Sequence, residues 1–379
     1  TTNTKQTTNP LEMTTNNRDE KSGVSVDIPV TPYNTQVAVI TRVIKAILTR
    51  QSALLESPTG TGKSLALLCG SLASQRHLLQ LPPPNGQQVK VVYATRTHSQ
   101  AVQIIRELKK TVYRPLTCSL ASRDKLCINP GIANRCDRDA ECRKMLKKPG
   151  ACPFAAAGEL LPISGSASND FAQPLDVEEL AALGRRKAAC PYLAAKRLVR
   201  ENLALLVVCP YQYIVAHRIR KSLQLSLAGA VVVIDEAHNA AESLMEAASC
   251  DSIDLVAIQE ELIPQLRSFI SKAKPSDSST ELVESAEKML KIAMSLCNWA
   301  SEAAGELQST DFEKKSQVWK GEEAMEVLDG IGFAATKIGS IRSAILQLVE
   351  DTPSGVVNAK ALYALDDVTG AVKMAHSCQ

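Results

Sequence analysis

Residues 56–64, ESPTGTGKS, place glycines, a lysine and a hydroxyl residue in the order of a phosphate-binding loop. In such a loop the glycines let the backbone approach a phosphate, the lysine reaches the terminal phosphates and the hydroxyl binds magnesium. Ser57 stands where the pattern G-x-x-x-x-G-K-[ST] has its first glycine, which is acceptable if the backbone there needs no positive φ. The predicted nucleotide-contacting residues of the loop are Ser57, Thr59, Gly60, Thr61, Gly62, Lys63 and Ser64.

A second chemical motif is VVVIDEAH, residues 231–238. An Asp-Glu pair at the end of a β-branched strand can hold magnesium through Asp235 and orient an attacking water through Glu236. By itself such a pair is more often a turn at a strand end. Together with the phosphate-binding loop, which supplies Lys63 and the second magnesium ligand Ser64, it predicts ATP hydrolysis.

Buried strands and amphipathic helices must position these two motifs. The apolar runs predicted as strands are ALL before the loop, VKVVYAT, ALLVVCPY and GAVVVI. Helical spacing of apolar residues predicts helices over QVAVITRVIKAIL, LALLCGSLASQRHLL and AVQIIRELKKTVY. Apolar strands separated by helices predict an α/β fold with a parallel sheet covered on both faces.

The composition narrows the class of protein. The chain has 379 residues, 45% of them hydrophobic, and a formal net charge of +3, which indicates a globular protein without a general polycationic character. Its eleven cysteines are diluted in a long chain with no apolar signal sequence, so a reducing compartment is expected. No apolar run reaches the ~18 residues of a membrane span, so no membrane association is predicted. The polar tract 1–22 is predicted to be a disordered tail, and the N-terminus to be clipped.

Three stretches resemble a helicase family. The tetrad DEAH, which ends at His238, resembles the signature of one helicase branch and adds that histidine to the catalytic set. TPYNTQ resembles the adenine-reading element of these enzymes, with Tyr33 and Gln36 in the matching positions. YATRTHSQ resembles the motif that contacts single-stranded DNA, which implies that role for the residues Thr95, Arg96 and Thr97. The family also tolerates a small residue at the position of Ser57.

Between the second and third predicted strands lies a cysteine-containing segment, residues 113–200, which we call the cysteine insertion. Its spacing lacks the C-x₂₋₄-C pairs of structural zinc sites, which disfavours zinc without establishing iron. SRDKLC, AEC, GACPF and AACPY resemble the iron–sulfur domain of the xeroderma pigmentosum group D class of DNA helicases. The resemblance implies a [4Fe-4S] cluster whose ligands are Cys127, Cys142, Cys152 and Cys190. Cys118 and Cys136 are extra to the pattern and remain alternative ligands.

Within that class, the stretches YATRTHSQ and VYRPLTCSLASRDKLCINP are most similar to the regulator-of-telomere-elongation branch, with the Fanconi anaemia group J branch near. The insertion is also locally basic, around residues 135–148 and 185–187. A charge run is usually a solvated face, but beside a helicase motor it favours DNA binding. Four further cysteines lie in apolar segments and are expected in cores: Cys69, Cys209, Cys250 and Cys297.

The predicted organisation is a RecA-like P-loop motor domain split by the insertion. Its parts are residues 23–112 and 201–243, and residues 244–379 are expected to be an incomplete helical arch domain. No Q-x-x-G-R-x-x-R segment of a second motor domain follows. The chain alone is therefore expected to bind ATP weakly and not to unwind DNA.

The resemblance implies an ATP- and Mg²⁺-dependent 5′–3′ DNA helicase of repair, recombination or telomere maintenance. Its expected partners are single-stranded DNA and DNA junctions, and its expected location is the nucleus. Protein partners are not predicted. The alternative is a non-catalytic module, derived from such a helicase, that binds nucleic acid or protein.

Overall fold

A computed structural model of the chain describes twelve segments. They are residues 15–18, 23–58, 60–81, 88–133, 138–160, 173–247, 252–273, 280–306, 308–311, 314–316, 321–352 and 356–377. The chain divides into two compact units. The first comprises Thr1–Ile214 and Ile219–Ala240, and the second comprises Val215–Arg218 and Ala241–Gln379. The predicted motor domain and cysteine insertion thus fall in the first unit.

The strands belong mainly to the first unit. They are β1 (Thr15–Arg18), β2 (Ser25–Ile28), β3 (Val91–Thr95), β4 (Thr117–Ser119), β5 (Leu206–Pro210), β6 (Val231–Ile234), β7 (Gln308–Asp311) and β8 (Lys314–Ser316). The first unit also contains helices α1 (Asn34–Leu48), α2 (Lys63–Leu79), α3 (His98–Lys110), α4 (Arg123–Leu126), α5 (Pro130–Ala133), α6 (Arg138–Leu146), α7 (Ala155–Leu160), α8 (Val177–Lys187), α9 (Pro191–Arg200) and α10 (Gln212–Val215). Helix α11 is His217–Leu223.

A four-stranded parallel sheet with the order β4-β5-β3-β6 forms the centre of the first unit. Every residue of β3 and β5 is buried, as continuous apolar runs predict for central strands. Helix α1 buries Val39, Ile40, Val43 and Ile44, which recur at helical spacing, against the same core as α2 and α3. The predicted α/β class with a parallel sheet is confirmed.

The apolar run before the phosphate-binding loop does not form the predicted strand. Residues 51–58 have no strand hydrogen bonding, and the side chain of Leu54 is 91% exposed. Leu55 alone of the run packs on the core. Three apolar residues are fewer than a typical strand contains, so the run's hydrophobicity was a weak signal. Among the described strands, β6 is left at the sheet edge, with Val232 and Ile234 partly exposed.

Residues 1–22 were predicted to be disordered, but the structure places a strand, β1, within them. Strand β1 pairs antiparallel with β2, from Thr15 opposite Ile28 to Arg18 opposite Ser25. The remainder of that tail lies outside the described residues. Beside this hairpin, Arg76 of α2 forms an ion pair with Asp27 at 2.7 Å, and the Tyr113 hydroxyl accepts a hydrogen bond from the Asp27 N–H at 2.9 Å. The hairpin is thereby tied to the end of α2.

In its described residues, the cysteine insertion adds one strand and six short helices to the first unit. Strand β4 extends the sheet beyond β5, which the sequence pattern did not predict. Helix α8 begins with a capping box formed by Asp176 and Glu179, and Glu179 also pairs with Lys109 of α3. The Ser119 hydroxyl donates to the carbonyl of Leu175 at 2.6 Å. The insertion is therefore fastened to the motor core through the contact of Glu179 with α3 and through the pairing of β4 with β5.

The second unit is helical, as predicted for residues 244–379. Its helices are α12 (Ala240–Ala247), α13 (Ser252–Ala257), α14 (Ile263–Lys272), α15 (Thr280–Glu306), α16 (Gly321–Gly330), α17 (Ile338–Asp351) and α18 (Ala359–Ser377), with a π-helical turn at Ile258–Leu262. Strands β7 and β8 pair antiparallel within it. Leu266, Met289, Phe333, Ile341 and Leu365 lie in its separate hydrophobic core. No helix in the described segments is both long and apolar enough to cross a lipid bilayer.

Candidate functional site

The phosphate-binding loop uses glycine where the backbone turns left-handed. Gly60 and Gly62 have φ of 79° and 72°, and a Cβ on Gly62 would collide with the side-chain amide of Gln36. The Gln36 side chain is buried, accepts from the Tyr33 N–H at 2.9 Å and donates to the Gly62 carbonyl at 3.4 Å. The predicted adenine-reading element therefore contacts the loop directly. Thr59 lies outside the described residues.

The first half of the loop is held by hydroxyl groups. The Ser57 and Thr61 hydroxyls are 2.8 Å apart, and the Thr61 hydroxyl also lies 2.8 Å from the Pro58 carbonyl oxygen. Ser57 has no positive φ, whereas Gly60 and Gly62 do. The backbone at the first motif position thus accepts a serine, as expected from the sequence.

The two predicted magnesium ligands lie together although they are far apart in sequence. The Ser64 hydroxyl donates to Asp235 Oδ2 at 2.7 Å, and the Tyr93 hydroxyl donates to the same oxygen at 3.0 Å. Burial and the nearby Asp235 carboxylate raise the pKa of Tyr93 well above its ordinary value, so Tyr93 stays a donor. A hydroxyl and a carboxylate oxygen are the hard donors that Mg²⁺ prefers, so these residues fit that ion.

The predicted catalytic residues surround Glu236. Lys63 Nζ lies 3.4 Å from Glu236 Oε1, and His238 Nδ1 lies 3.4 Å from Glu236 Oε2. Glu236 itself has a left-handed backbone, with φ of 55°. The buried Tyr211 hydroxyl donates to the carbonyl oxygens of Asp235 and Glu236, and burial together with both carboxylates raises the pKa of Tyr211 to about 12. Tyr211 holds the backbone at the two acidic residues.

Sequence reasoning assigned no role to Tyr93, Tyr211 or Asn239, although all three contact the acidic pair. Tyr93 carries a hydroxyl inside an otherwise apolar strand, and Asn239 directly follows the DEAH tetrad. A polar group in a fully buried strand needs a partner, and that requirement was the available signal for Tyr93. No comparable signal marked Tyr211.

The three residues predicted to contact DNA are not equally accessible. Thr95 is 1% exposed, and its hydroxyl donates to the Thr97 carbonyl at 2.9 Å, because it ends the buried strand β3. This burial is at odds with a direct DNA contact by the Thr95 side chain. Arg96 and Thr97 are exposed, and Thr97 caps α3 through a reciprocal pair of hydrogen bonds with Gln100. Arg96 is an exposed cation on this surface, and its guanidinium donates to Asn239.

The four predicted cluster ligands come from four separate segments of the insertion. Cys127 ends α4, Cys142 lies on α6, Cys152 follows that helix, and Cys190 caps α9. The segments of Cys152 and Cys190 are joined by the hydrogen bond from the Cys190 N–H to the Phe154 carbonyl, at 2.8 Å.

The thiols are near enough to influence one another electrostatically. Burial raises the pKa of Cys142, and the charges of Cys127 and Cys152 raise it further, against a lowering by Arg123. Burial likewise raises the pKa of Cys190 to about 11, with added contributions from Cys142 and Cys152. Even so, the part of the chain that is described contains no group of three or more residues arranged to hold a metal ion. Four thiolates are ligands that both soft metal ions and an iron–sulfur cluster accept, so these residues fit such a group.

Arg123 organises the polar side of this region. Its guanidinium contacts the carboxylate of Asp139 and lies over the ring of Tyr192, 4.0 Å from the ring centre. The carboxylate of Asp139 also forms an ion pair with Arg143. The side chain of Arg123 thus joins α4 to α6 and α9, the three helices that present Cys127, Cys142 and Cys190. Tyr192 is buried under Arg123 and serves packing.

The other cysteines that the structure describes lie apart from this group. Cys118 on β4 is 2% exposed, its thiol lies 3.5 Å from the Ala195 carbonyl, and burial raises its pKa to about 12. Such a protonated core thiol is a poor replacement ligand. Cys136, the other alternative, lies outside the described residues. Cys69, Cys209 and Cys297 are buried as expected, and Cys250 lies outside the described residues.

Family comparisons match the region that carries these sites. The DEAD/DEAH box helicase model matches residues 38–128, and the DEAD_2 model matches residues 93–255. The two matches overlap between residues 93 and 128. Together they include the phosphate-binding loop, the cysteine insertion and the DEAH tetrad.

Curated relatives share this part of the chain. Regulator of telomere elongation helicase 1 of Mus musculus is 34% identical over 267 residues, which are 61% of this chain and 22% of the mouse protein. The Homo sapiens protein of that name is also 34% identical over 267 residues, covering 61% of this chain and 21% of its own length. A Drosophila virilis homologue is 33% identical over 289 residues, covering 66% and 28%. The chain therefore spans under a third of these relatives.

Two solved structures align with most of the chain. A structure described as an XPD helicase has a TM-score of 0.41 and 21% identity, over 91% of this chain and 52% of that one. A structure described as truncated XPD has a TM-score of 0.41 and 20% identity, over 87% and 81%.

Proposed function

We propose that this chain, which matches the DEAD/DEAH box helicase and DEAD_2 family models, supplies the ATP-binding motor domain of a DNA helicase. One observation carries the proposal. Lys63 and Ser64 of the phosphate-binding loop lie against Glu236 and Asp235, at 3.4 Å and 2.7 Å respectively. Residues separated by more than 160 positions thus form one polar cluster at the carboxyl end of the parallel sheet, where such folds bind nucleotides.

In this function each residue has a defined task. Lys63 binds the terminal phosphates of ATP, and Glu236 orients the attacking water. Ser64 and Asp235 would hold Mg²⁺, which neutralises charge developing on the transferred phosphoryl group. Tyr93 keeps the Asp235 carboxylate aimed at Ser64 by donating to the shared oxygen. Gln36 supports the loop carbonyl at Gly62 and, with Tyr33, forms the adenine side of the site.

The four thiols of the insertion support a second part of the proposal. Cys127, Cys142, Cys152 and Cys190 would hold a [4Fe-4S] cluster, which would fasten the short helices of the insertion together. Because a metal cluster binds the folded arrangement of its ligands, it would also add folding free energy to the insertion. Arg96, the basic helix α6 and the basic last turn of α8 form the proposed surface for single-stranded DNA.

The proposal includes a biological setting, which the names of the relatives support. Proteins named regulators of telomere elongation support a role in telomere maintenance or DNA repair, and with it a nuclear location. Translocation from 5′ to 3′ and recognition of DNA junctions belong to the same proposal.

Lys63→Ala tests the proposal in the chain as it stands. Removing a hydrogen bond between charged groups costs about 1.5–3 kcal/mol, so the affinity for a fluorescent ATP analogue with Mg²⁺ should fall about 10- to 150-fold. The affinity for a fluorescent oligothymidine should not change. Lys110→Ala is the matched control, because Lys110 is an exposed lysine of the same unit that pairs with Glu107.

Unchanged nucleotide affinity in Lys63→Ala would contradict the site assignment. Oligothymidine binding without any Mg·ATP binding by the wild-type chain would instead favour the non-catalytic nucleic-acid-binding module.

A further inference from the structure

A continuous set of hydrogen bonds joins the exposed Arg96 to Glu236 through one side chain. Arg96 Nη1 donates to Asn239 Oδ1 at 3.0 Å. On the other side of the same amide, Asn239 Nδ2 lies 3.3 Å from the Glu236 carbonyl oxygen and 2.9 Å from His238 Nε2. Asn239 therefore contacts the predicted DNA-binding arginine and the predicted catalytic segment at the same time.

The orientation of the Asn239 amide is determined by these neighbours. A guanidinium can only donate, so it must face the amide oxygen of Asn239. The amide NH₂ then faces the Glu236 carbonyl and His238 Nε2, both of which must accept. His238 consequently carries its proton on Nδ1, the nitrogen that lies 3.4 Å from Glu236 Oε2. Arg96 is thus linked to the Glu236 carboxylate through two intermediate side chains, Asn239 and His238.

Asn239 also supports the backbone of Glu236. The Glu236 carbonyl accepts from the Asn239 N–H at 3.0 Å and from Tyr211 at 3.0 Å, besides the Asn239 side chain. Glu236 has φ of 55°, a conformation that persists in a non-glycine residue only where surrounding contacts hold it. A change in the Asn239 amide therefore alters both the backbone and the carboxylate contacts of Glu236.

Resting on the proposed function, we propose that Asn239 is a positioning residue that couples strand binding at Arg96 to the nucleotide site at Glu236 and Lys63. A DNA phosphate that binds the Arg96 guanidinium competes with Asn239 Oδ1 for it. The released amide loses the constraint that orients it, and Glu236 and its partner Lys63 rearrange in response. Because coupling between two binding sites is reciprocal, bound nucleotide changes DNA affinity by the same factor.

The coupling factor is measurable without hydrolysis. The full chain is titrated with a fluorescent, non-hydrolysable ATP analogue and Mg²⁺, with and without saturating oligothymidine. The ratio of the two dissociation constants is the coupling factor, expected to be at least about fivefold for wild type. Asn239→Ala should bring this ratio to within about twofold of one. Gln103→Ala is the matched control, since it removes an exposed amide of α3 that bonds only to Glu107 in its own helix, and it should keep the wild-type ratio.

Asn239→Asp separates the two sides of the amide. Aspartate still accepts from Arg96 but cannot donate to the Glu236 carbonyl or to His238, so its ratio should also fall towards one. If Asn239→Ala does not fold, Asn239→Asp alone tests the inference. A wild-type ratio of one, or a wild-type ratio retained in both Asn239 variants, overturns the inference and leaves the proposed function standing. Failure of the wild-type chain to bind the Mg²⁺–nucleotide overturns the proposed function and the inference with it.

Discussion

The nucleotide-binding edge and the cysteine insertion hold their key residues in different ways. At the edge, Lys63, Ser64, Asp235 and Glu236 contact one another directly through hydrogen bonds and an ion pair. In the insertion, four thiols from four segments influence one another's pKa, and the described residues there include no metal-holding arrangement. A protein can preorganise a polar cluster on the rigid ends of sheet strands. Ligands carried by short helices depend more on the group they bind.

The largest predicted effect is a loss of iron from the cysteine insertion. Replacing any one of Cys127, Cys142, Cys152 or Cys190 with alanine should remove most of the iron and acid-labile sulfide from anaerobically purified protein. The wild-type chain should contain about four of each, as a cuboidal cluster requires. Elemental analysis with a visible absorption spectrum makes the measurement.

Cys118→Ala is the control for these variants, because Cys118 lies in the sheet, away from the four thiols. It should retain wild-type iron. If Cys118→Ala lost its iron while one of the four other variants kept it, Cys118 would be the ligand in place of that cysteine. Zinc in place of iron would refute the iron–sulfur cluster.

Two glycine variants test whether the contact between Gly62 and Gln36 supports the phosphate-binding loop. Gly60→Ala places a Cβ in open space and incurs only the left-handed backbone cost, roughly 1–2 kcal/mol of unfolding free energy. Gly62→Ala incurs that cost and also displaces Gln36, so it should be the less stable variant and should also bind Mg·ATP more weakly. Urea unfolding and nucleotide titration measure the two effects.

Gly339→Ala is a control for which the expected change in stability has the opposite sign. Gly339 lies in helix α17 with open space at its Cβ position, so alanine there should stabilise by about 0.4–1 kcal/mol. Equal losses in Gly60→Ala and Gly62→Ala would show that the Gln36 contact does not support the loop.

A smaller effect is expected from Tyr211→Phe. The substitution removes the hydroxyl that donates to the Asp235 and Glu236 carbonyls, and a typical hydrogen bond contributes about 0.5–1.5 kcal/mol. Thermal unfolding should therefore begin at a lower temperature, and Mg·ATP affinity should fall with it. Tyr213→Phe, which removes the same kind of hydroxyl two residues away, is the comparison. A larger loss in Tyr213→Phe than in Tyr211→Phe would contradict the assigned role.

The smallest effect concerns the junction between the insertion and the motor core. Burial raises the pKa of Glu179, but hydrogen bonds from Lys109 and from the Asp176 backbone outweigh it, and the pKa lies below its ordinary value of 4.5. A carboxyl with a depressed pKa stabilises the fold above its unfolded-state pKa, and that contribution is lost as the pH falls through the folded-state pKa. Glu179 is partly exposed, so the contribution should stay below about 1 kcal/mol.

Glu179→Gln should therefore reduce stability at neutral pH and converge with wild type below the ordinary pKa of 4.5. Urea unfolding across this pH range measures the difference. A constant gap between variant and wild type at all pH values would show that packing, not charge, accounts for the effect.

Much of the fold could be predicted from hydrophobic pattern. Strands β3, β5 and β6 and helices α1, α2 and α3 lie where the apolar runs predict them, because long periodic or continuous apolar segments must be buried. Strand β4 was missed and the run at residues 53–55 was wrongly predicted as a strand, because short segments are decided by their neighbours in space. The burial of Thr95 at the end of β3 likewise could not be predicted from the motif YATRTHSQ.

The sequence alone determined which residues could bind phosphate and magnesium, because spacing within one loop and one tetrad specifies the backbone that presents them. For the thiols, spacing left the choice open, and only the resemblance to an iron–sulfur domain implied Cys127, Cys142, Cys152 and Cys190 as ligands. Only the tertiary structure decided that Tyr93 and Tyr211 support the acidic pair and that Asn239 links Arg96 to Glu236. Those contacts join residues from different strands and loops, and no local pattern encodes a distance between segments that meet only when the sheet assembles.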